Sequence, residues 1–393
     1  TQVGTKQADK GNRKIVEILA TLTSMVLFIE TNISILTTGT LYRPIFDRLK
    51  IPREKLSYIT DSTCAPMCIL IPFNAWGAFI MGLLIAQGYD EPFPVLMKSL
   101  LYNFYPFIVI IMVFAIILSG KDFGEMKKAE IRAHETGKIL RDGAVPMMDD
   151  SIAMLSAKQG VPERAFNMVI PVATMVLLMP TFLIYTGWGA AEGTGLVKMW
   201  GALSKGSGSS AVLYAVSGAI VVAMFLYKIQ GIMGVREMID LCLKGMAGMV
   251  GITILTVLAF ALNDMCKELG TGQYLADVAR GFLTPALVPA IIFILASFIA
   301  FSTGTSWGTF AIMLAVAVPL SQSMGVNPTM AIAAALGGGV FGDHCSPTSD
   351  TTIITSMATA NDHIDHVRTQ LPYALTAGAI TTLIYLILGF AGV

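Results

Sequence analysis

The sequence predicts an all-α polytopic membrane protein, built from two internal repeats with discontinuous or re-entrant helices. Of the 393 residues, 54% are hydrophobic and only 13% are charged, whereas a soluble domain carries about 25% charged residues. The charges also cluster in short segments between long apolar runs, and several of these runs are interrupted by Gly, Pro or a carboxylate. The formal net charge is zero, so composition gives no reason to expect nucleic acid as a partner.

Long apolar runs are the first element of this prediction. A helix of about 20 apolar residues crosses the hydrocarbon core of a bilayer, which is roughly 30 Å thick. Candidate segments are 15–37, 60–86, 95–119, 168–187, 211–228, 245–262, 284–301 with a continuation to 320, 329–358 and 373–391. We therefore expect about 9–11 membrane segments. Where these segments are interrupted, protein or a water-filled cavity must satisfy the freed backbone groups.

The orientation follows from the basic residues. The polar insertion 120–165 contains eight Lys or Arg residues and 41–58 contains five, whereas 87–94 contains none and 188–210 contains two. The positive-inside rule therefore places 41–58 and 120–165 in the cytoplasm. The segment 1–14 has four basic residues and conflicts with this assignment, because a single crossing after it would place it on the other side.

Short matches between the two halves indicate the internal repeat. Three matches occur in the same order: Val3-Gly-Thr with Leu269-Gly-Thr, Phe28-Ile-Glu-Thr-Asn with Phe301-Ser-Thr-Gly-Thr, and Asp61-Ser-Thr-Cys-Ala-Pro66 with Asp343-His-Cys-Ser-Pro347. A duplicated membrane protein with interrupted segments at matching positions is typical of a transporter with its binding site at the repeat interface.

The repeat also predicts the domain organisation. Residues 1–119 form the first repeat, 120–165 a cytoplasmic loop, and 166–393 a linking helix and the second repeat. Because two spans precede the second copy and none precedes the first, we expect the first repeat to be truncated at its N-terminus by about two helices. A count of crossings favours a parallel repeat unless one interrupted segment is re-entrant.

The strongest candidate site lies in the segment 337–352. Asp343 and Asp350 are seven residues apart, about two helical turns, in a glycine-broken and otherwise apolar environment. Ionisable residues inside a membrane are expensive and indicate function. The hydroxyls of Ser346 and Thr351 add the neutral oxygen ligands that a sodium ion needs in place of water. The alternative is a polar surface loop in which one of the two carboxylates caps a helix.

Further candidate ligands lie in both copies. Thr303 and Thr305 belong to a hydroxyl-rich cluster that either contributes neutral ligands or packs helices through small residues. In the first copy, Glu30 and Asn32 interrupt an apolar run, and Asp61 precedes Cys64-Ala-Pro66. We expect these groups to partner the carboxylates of the second copy, although a helix-capping role remains an alternative for Asp61.

Other classes of function lack their motifs. The sequence contains no phosphate loop, nucleophile elbow or dinucleotide fingerprint, which argues against an enzyme and against transport driven by ATP. We expect no cofactor apart from the transported Na+ and H+. His344 and Cys345 are adjacent and point in different directions, so they do not predict a metal site. His363 and His366 indicate a solvated loop that responds to pH.

The sequence resembles the Na+/H+ antiporter family of the NhaC type. The resemblance rests on GDHCSPTSDTT (342–352), DHVRTQLPYAL (365–375), FSTGTSWGT (301–309), and RPIFDRLKIPREKLSYITDSTCAP (43–66) with LIPFNAWGAF (70–79). It implies an inverted repeat and a multi-pass protein of the cell (inner) membrane. The expected partners are sodium ions, protons and the lipid bilayer, with homodimer formation left open. Many relatives have paired acids where this sequence has Glu30-Thr-Asn, so the charge of that site is not carried over.

These observations predict a secondary transporter that exchanges Na+ for H+ by competition at buried carboxylates. A buried carboxylate holds a proton or a sodium ion, but not both. The alternative is a Na+/H+-coupled antiporter of a small organic anion such as malate/lactate, since the resembled family includes such exchangers. That alternative calls for a cationic side chain at mid-membrane, and no Lys or Arg lies inside a central span. An ion channel fits less well, because a duplicated pair of broken helices suits alternating access.

Overall fold

The computed structural model describes residues 2–147, 164, 166–248 and 283–392, together with isolated positions between 250 and 278. In these ranges the chain is helical, and the β structure there is confined to one bridge between Pro146 and Asp362. Helices of the first half are α1 (Gln2–Val26), α2 (Thr31–Arg48), α3 (Arg53–Leu70), α4 (Ala75–Ala86), α5 (Pro92–Leu100), α6 (Phe104–Ser119) and α7 (Gly124–Thr136).

Nine further α-helices follow in the described ranges of the second half. They are α8 (Phe166–Gly187), α9 (Gly195–Lys205), α10 (Gly208–Ile229), α11 (Val235–Gly248), α12 (Val288–Thr303), α13 (Ser306–Met324), α14 (Pro328–Cys345), α15 (Asp350–Thr359) and α16 (His363–Ala391). A single 3-10 turn, Pro285–Leu287, precedes α12. The all-α prediction is confirmed.

Six helical stretches of the described residues are long and apolar enough to cross a membrane, or seven if α3 and α4 form one broken span. This number is below the 9–11 expected for two reasons. The expected spans 15–37 and 329–358 each divide into two helices at a break. In the expected span 245–262, eight of the eighteen residues lie outside the described ones, so no continuous helix is described there.

The chain forms two compact units, and neither follows the boundaries expected from the duplication. Unit 1 comprises 1–70, 99–155 and 272–393, and unit 2 comprises 71–98 and 156–271. Each unit therefore draws on both halves of the sequence. The expected division at 119/120 and 165/166 stays a prediction about the repeat, since the compact units follow contacts and not sequence similarity.

In unit 2, α8 packs along α10, and α4 and α9 pack on this pair. Glycines allow the close approaches. A Cβ on Gly187 would lie 1.9 Å from the carbonyl oxygen of Ala202, and one on Gly206 would lie 2.3 Å from that of Leu183. The side chains of the described part of unit 2 are mostly exposed and apolar, as a surface in contact with lipid requires.

In unit 1, α1 and α2 form a helical hairpin whose tip is the break 27–30. The Ser24 and Ser34 hydroxyls are 3.1 Å apart, and the Thr23 hydroxyl lies 2.9 Å from the Tyr42 hydroxyl. Thr23 faces Tyr42, whereas the next residue of α1, Ser24, faces the earlier residue Ser34 of α2. The two helices are therefore antiparallel. The expected span 15–37 is thus divided between two antiparallel helices, which is the geometry of a re-entrant hairpin.

A second hairpin, of α12 and α13, turns at Gly304-Thr305. Gly338 and Gly342 of α14 lie against Phe293 and Ser297 of α12, in parallel. Ser306 at the start of α13 instead contacts Asp343 near the end of α14. The two helices of this hairpin are therefore antiparallel.

The two hairpins open toward opposite ends of unit 1. At the open end of the first, Arg13 pairs with Glu130 at 2.7 Å. At the open end of the second, a Cβ on Gly389 would lie 1.9 Å from the Ala286 carbonyl oxygen. The long helix α16 separates the two ends, since Pro372 near its start contacts Gly124 while Gly389 lies near its other end. An inverted duplication would produce this arrangement, and the two-fold superposition of the halves stays a prediction.

The order of elements also matches in the two copies: hairpin, short connection, helix of 18 residues, break of four residues, short helix. This order aligns Pro72 in the break 71–74 with Pro347 in the break 346–349. The sequence match of Pro66 with Pro347 implies a different register, since Pro66 lies inside α3; the register of the repeat stays a prediction. In the match of Val3-Gly-Thr with Leu269-Gly-Thr, Thr271 lies outside the described residues, and the match stays a prediction.

The segments expected to be cytoplasmic meet each other in unit 1. Arg132 donates to both carboxylate oxygens of Glu54, at 2.8 and 3.0 Å. The Lys55 ammonium lies 2.6 Å from Asp122. Arg13, at the end of the segment 1–14, pairs with Glu130 of the same region. Arg13 therefore lies at the same end of unit 1 as the segments expected to be cytoplasmic.

Candidate functional site

Asp343 lies near the end of α14 and is 1% exposed. Asp343 is buried because the glycines of α14 allow this helix to pack closely on α12: a Cβ on Gly342 would lie 2.0 Å from the Ser297 carbonyl oxygen. The Oδ2 atom of Asp343 accepts hydrogen bonds from the hydroxyls of Ser306, at 3.0 Å, and Thr351, at 3.4 Å. The Oδ1 atom has no hydrogen-bond partner among the described residues. This carboxylate is buried inside protein, so the surface-loop alternative is wrong for it.

Asp61 lies in the middle of α3 and is fully buried. Its position inside an uninterrupted helix excludes the capping role. Its Oδ2 atom accepts hydrogen bonds from Gln370 Nε2, at 2.6 Å, and from the Thr352 hydroxyl, at 3.2 Å. As in Asp343, the Oδ1 atom has no partner in the described part of the chain.

Two elements connect the carboxylates. At the start of α15, the consecutive residues Thr351 and Thr352 donate to Asp343 and Asp61, respectively. The Nε2 atom of Gln370 donates to Asp61 and, at 3.0 Å, to the carbonyl oxygen of His344, the residue after Asp343. Asp61 and Asp343 are therefore linked through the adjacent donors Thr351 and Thr352, each of which serves one carboxylate.

Two histidines adjoin this carboxylate pair. His366 is fully buried, with Nε2 3.1 Å from Gln370 Oε1 and Nδ1 2.9 Å from the Ser356 hydroxyl. His344 is also buried, and its Nδ1 lies 3.0 Å from the hydroxyl of Tyr105. The expectation that His366 lies in a solvated loop is wrong, since it belongs to the first turns of α16 and faces the site.

Glu30 and Asn32 occupy a different place from the one expected. Glu30 is the N-cap of α2, where its Oε2 accepts from the amide of Ile33 at 3.0 Å. Its Oε1 accepts from the side-chain amide of Asn32 at 3.1 Å. Both groups thus serve the hairpin tip, because the first orphan amides of a helix need an acceptor. Neither group contacts Asp61 or Asp343 through a hydrogen bond in the described residues.

Most of the candidate ligands of the second copy also make contacts away from Asp61 and Asp343. The hydroxyl of Ser346 donates to the Phe301 carbonyl at 2.7 Å, and that of Thr303 donates to the Ile299 carbonyl of its own helix at 2.8 Å. Thr305 is the N-cap of α13 without a side-chain cap bond. Asp350 is exposed at the first position of α15, and its Oδ1 accepts from the Thr351 amide. The structure therefore brings only Asp343, Thr351 and Asp61 of the expected residues together.

Sequence reasoning missed four members of the site, namely Ser306, Thr352, Gln370 and His366. Ser306 belongs to the same hydroxyl-rich cluster as Thr303 and Thr305, and only those two threonines were predicted as ligands. Gln370 and His366 lie at positions i and i−4 of α16, one face of the helix, so this spacing was a usable signal. Nothing in the sequence showed that this face meets α3 and α14.

The site has the chemistry of a cation site. It offers two carboxylate oxygens without a partner, hydroxyl groups that can also accept, and a low-dielectric environment. No hydrogen bond or ion pair from Lys or Arg reaches Asp61 or Asp343 among the described residues. The desolvation of a buried carboxylate without a counter-charge is costly, and a bound cation would offset that cost.

The helical hairpins, broken helices and buried carboxylates are typical of a polytopic membrane transporter. The chain belongs to the Na+/H+ antiporter family, which matches residues 67–390. The family membership expected from the sequence is confirmed, and the chain is a transporter and not an enzyme.

Similar proteins agree with this assignment. An uncharacterised protein of Haemophilus influenzae is 32% identical over 96% of this chain, which spans 72% of that relative. A malate-2H+/Na+-lactate antiporter of Bacillus subtilis is 31% identical over 28% of this chain and 23% of its own length. The solved structure of MtrF from Neisseria gonorrhoeae, described as illuminating a class of antimetabolite efflux pumps, matches with a TM-score of 0.60 and 12% identity. It covers 95% of this chain and 74% of MtrF, and shows a shared fold.

Proposed function

We propose that this chain exchanges Na+ for H+, and that the two ions compete for the carboxylates of Asp61 and Asp343. The observation that carries the proposal is the state of these two groups: both are buried, neither is paired with Lys or Arg among the described residues, and each has one free oxygen. Oxygen ligands suit hard cations. The free Oδ1 atoms are therefore the primary ligands for sodium.

The surrounding hydroxyls complete the ligand set. A hydroxyl has one donor and two acceptor lone pairs. Ser306 and Thr351 can therefore donate to Asp343 in one state and turn a lone pair to sodium in another. Gln370 and His366 fix the orientation of Asp61, since the 2.6 Å hydrogen bond from Gln370 leaves only Oδ1 free.

Competition at this site accounts for exchange without ATP. A protonated carboxyl group is neutral and a poor ligand for sodium, whereas a sodium-bound carboxylate does not accept a proton. The opposed hairpins provide two gates, one toward each end of unit 1. We place the protein in the cell (inner) membrane, with 41–58 and 120–147 on the cytoplasmic side, as the positive-inside rule indicates.

A sodium-coupled antiporter of an organic anion is the second candidate, and the similarity to the malate-2H+/Na+-lactate antiporter supports it. The site itself does not favour this candidate, because a travelling carboxylate needs a cationic partner. His344, with an Nε2 atom that lacks a partner in the described residues, is a group that could serve when protonated.

The test is sodium uptake by proteoliposomes that contain the full-length protein, driven by an outward proton gradient. Asp61→Asn and Asp343→Asn should each abolish uptake, whereas Asp350→Asn should retain most of it because Asp350 is exposed. Asp142→Asn, on the polar segment after α7, is the matched control and should behave as wild type. Normal uptake by both buried variants would contradict the proposal. Uptake that requires malate or lactate would support the second candidate.

A further inference from the structure

A chain of polar contacts leads from the start of α16 towards Asp61. His363, the first residue of this helix, is partly exposed, and its Nδ1 atom lies 3.1 Å from the Ser356 hydroxyl. The same hydroxyl lies 2.9 Å from Nδ1 of His366, and Nε2 of His366 lies 3.7 Å from Oδ2 of Asp61. The proposed exchange site includes His366 but makes no use of His363 or Ser356.

The contacts of His363 fix which of its ring nitrogens carries the hydrogen. A neutral imidazole has one N–H donor and one acceptor nitrogen. Nε2 of His363 lies 2.7 Å from the carbonyl oxygen of Pro347, and a carbonyl oxygen can only accept a hydrogen bond. Nε2 therefore carries the hydrogen, and Nδ1 of neutral His363 is an acceptor beside Ser356.

The contacts of His366 fix its tautomer in the same way. The side-chain nitrogen of Gln370 donates to Asp61 and to the His344 carbonyl oxygen. The other terminal atom of Gln370, 3.1 Å from Nε2 of His366, is therefore the amide oxygen. Since this oxygen accepts, Nε2 of His366 carries the hydrogen and its Nδ1 is also an acceptor beside Ser356.

The Ser356 hydroxyl is thus surrounded by more acceptors than it can serve. It has one hydrogen, and its three acceptors are the two Nδ1 atoms and, at 2.8 Å, the carbonyl oxygen of Thr352. Its two lone pairs can in turn accept from a donor. A proton added to Nδ1 of His363 makes that atom a donor to Ser356, and the hydroxyl hydrogen can then serve His366. Because unpaired buried acceptors are costly, the arrangement favours one additional proton.

We infer that His363 is a proton-binding residue of the exchanger, which takes up a proton at Nδ1 and thereby lowers the affinity of the Asp61 site for sodium. This inference rests on the proposed function and deepens it, since it adds a second group through which protons oppose sodium. Solvent reaches His363, whereas His366 is fully buried. A positive charge on His363 opposes a sodium ion at Asp61, because charges interact more strongly in a low-dielectric interior than in water.

Most charged groups on the elements around His363 are engaged in ion pairs, which have no net charge. Arg53, Glu54, Arg141 and Asp142 pair with Asp47, Arg132, Asp365 and Lys138, respectively. Asp362 accepts hydrogen bonds from backbone amides at the start of α16. The remaining ionisable groups there are Asp61 on α3, Asp343 and His344 on α14, Asp350 on α15, and His366 and Arg368 on α16.

His363→Gln tests the inference in proteoliposomes of the full-length protein. The exchange of labelled for unlabelled sodium, at equal pH on both sides, gives the sodium concentration for half-maximal exchange. Glutamine can still donate to Pro347 but cannot become charged. We expect the ratio of the wild-type to the variant concentration to rise about fivefold or more between about pH 8 and about pH 5, because an imidazole changes charge in that range and couplings between two sites are typically of this size.

His134→Gln is the matched control, since His134 lies on the exposed surface of α7, and its ratio should not vary with pH. A ratio for His363→Gln that is the same at every pH overturns the inference, because a merely structural role alters affinity equally throughout. If His363→Gln does not fold, His363→Arg must lower sodium affinity at about pH 8, where an imidazole is neutral, and wild-type affinity there overturns the inference. Normal exchange by Asp61→Asn and Asp343→Asn would instead refute the proposed function itself.

Discussion

The Nε2 atom of His366 lies 3.7 Å from Oδ2 of Asp61, and both side chains are fully buried. The same carboxylate oxygen accepts the 2.6 Å hydrogen bond from Gln370. Three polar groups from two distant parts of the sequence thus meet in an apolar interior. The position of Asp61 Oδ1, the free ligand atom, depends on how these neighbours hold Oδ2.

The first prediction concerns Gln370. Gln370→Ala removes a hydrogen bond to a charged group, worth about 1.5–3 kcal/mol. We expect sodium affinity to fall roughly 10- to 100-fold, with the fold retained. Gln322→Ala, on the exposed surface near the end of α13, should leave sodium affinity unchanged. Concentration-dependent sodium uptake measures both variants, and equal affinities would show that Gln370 does not position Asp61.

The second prediction separates the hydroxyls of the second hairpin. Ser306→Ala removes a donor 3.0 Å from Asp343, so it should weaken sodium affinity roughly tenfold, as for one hydrogen bond to a charged group. Ser346→Ala removes a hydrogen bond to a backbone carbonyl and should affect thermal stability more than sodium affinity. The same uptake assay, with a thermal melt, distinguishes the two. A larger loss of sodium affinity for Ser346→Ala than for Ser306→Ala would contradict the assignment of Ser306 to the site.

Local sequence signals were sufficient to predict Asp343 as a buried site residue but not to predict the contacts of the other polar residues. Apolar runs, glycines and carboxylates predicted the membrane helices, their breaks and two of the buried acids, because each signal is local. Glu30 looked like a site residue by the same local criterion, yet it caps α2. The direction in which a polar side chain points at a hairpin tip depends on the three-dimensional path of the turn, and the local sequence pattern does not determine that path.

The third prediction concerns the packing of α14. A Cβ on Gly342 would lie 2.0 Å from the Ser297 carbonyl oxygen, so Gly342→Ala forces α12 and α14 apart. Overpacking of this kind costs about 1–3 kcal/mol. We expect a lower melting temperature in detergent and loss of uptake. Gly234→Ala is the control, because no atom lies within 4 Å of its added Cβ; an equally small effect of both would show that the helices can separate freely.

The fourth prediction concerns topology. Because Arg13, Glu130 and Glu54 belong to one cluster of contacts at one end of unit 1, the flanking segments should lie on the same side of the membrane. Single cysteines at Asn12 and Lys138, in a background without native cysteines, should react with an impermeant reagent from the cytoplasmic side alone. Reaction of the two positions from opposite sides would overturn the re-entrant first hairpin.

The fifth prediction concerns Asp362, the N-cap of α16, outside the spans. Burial raises the pKa of Asp362, but hydrogen bonds from the amides of Val145, Asp365 and Ile364 outweigh it, so the pKa lies below its ordinary value. The ionised group therefore stabilises the folded state above the unfolded pKa of about 3.9, and the contribution is lost as the pH falls through the lower folded pKa. Asp362→Ala should cost about 0.5–2 kcal/mol at neutral pH.

Thermal unfolding of wild type and Asp362→Ala as a function of pH measures this contribution. The difference in melting temperature should be constant near neutral pH and should shrink below about pH 4. A difference that grows toward low pH would have the wrong sign for an acid with a lowered pKa.

The glycine contacts of α14 have a mechanical consequence. Where Gly338 and Gly342 touch the backbone of α12, no flexible side chains lie between the helices to absorb sliding, so these two helices move as one rigid lever. Gly339 of α14 lies equally close to Phe310 of α13, so a displacement of either arm of the second hairpin must carry α14, and Asp343 with it.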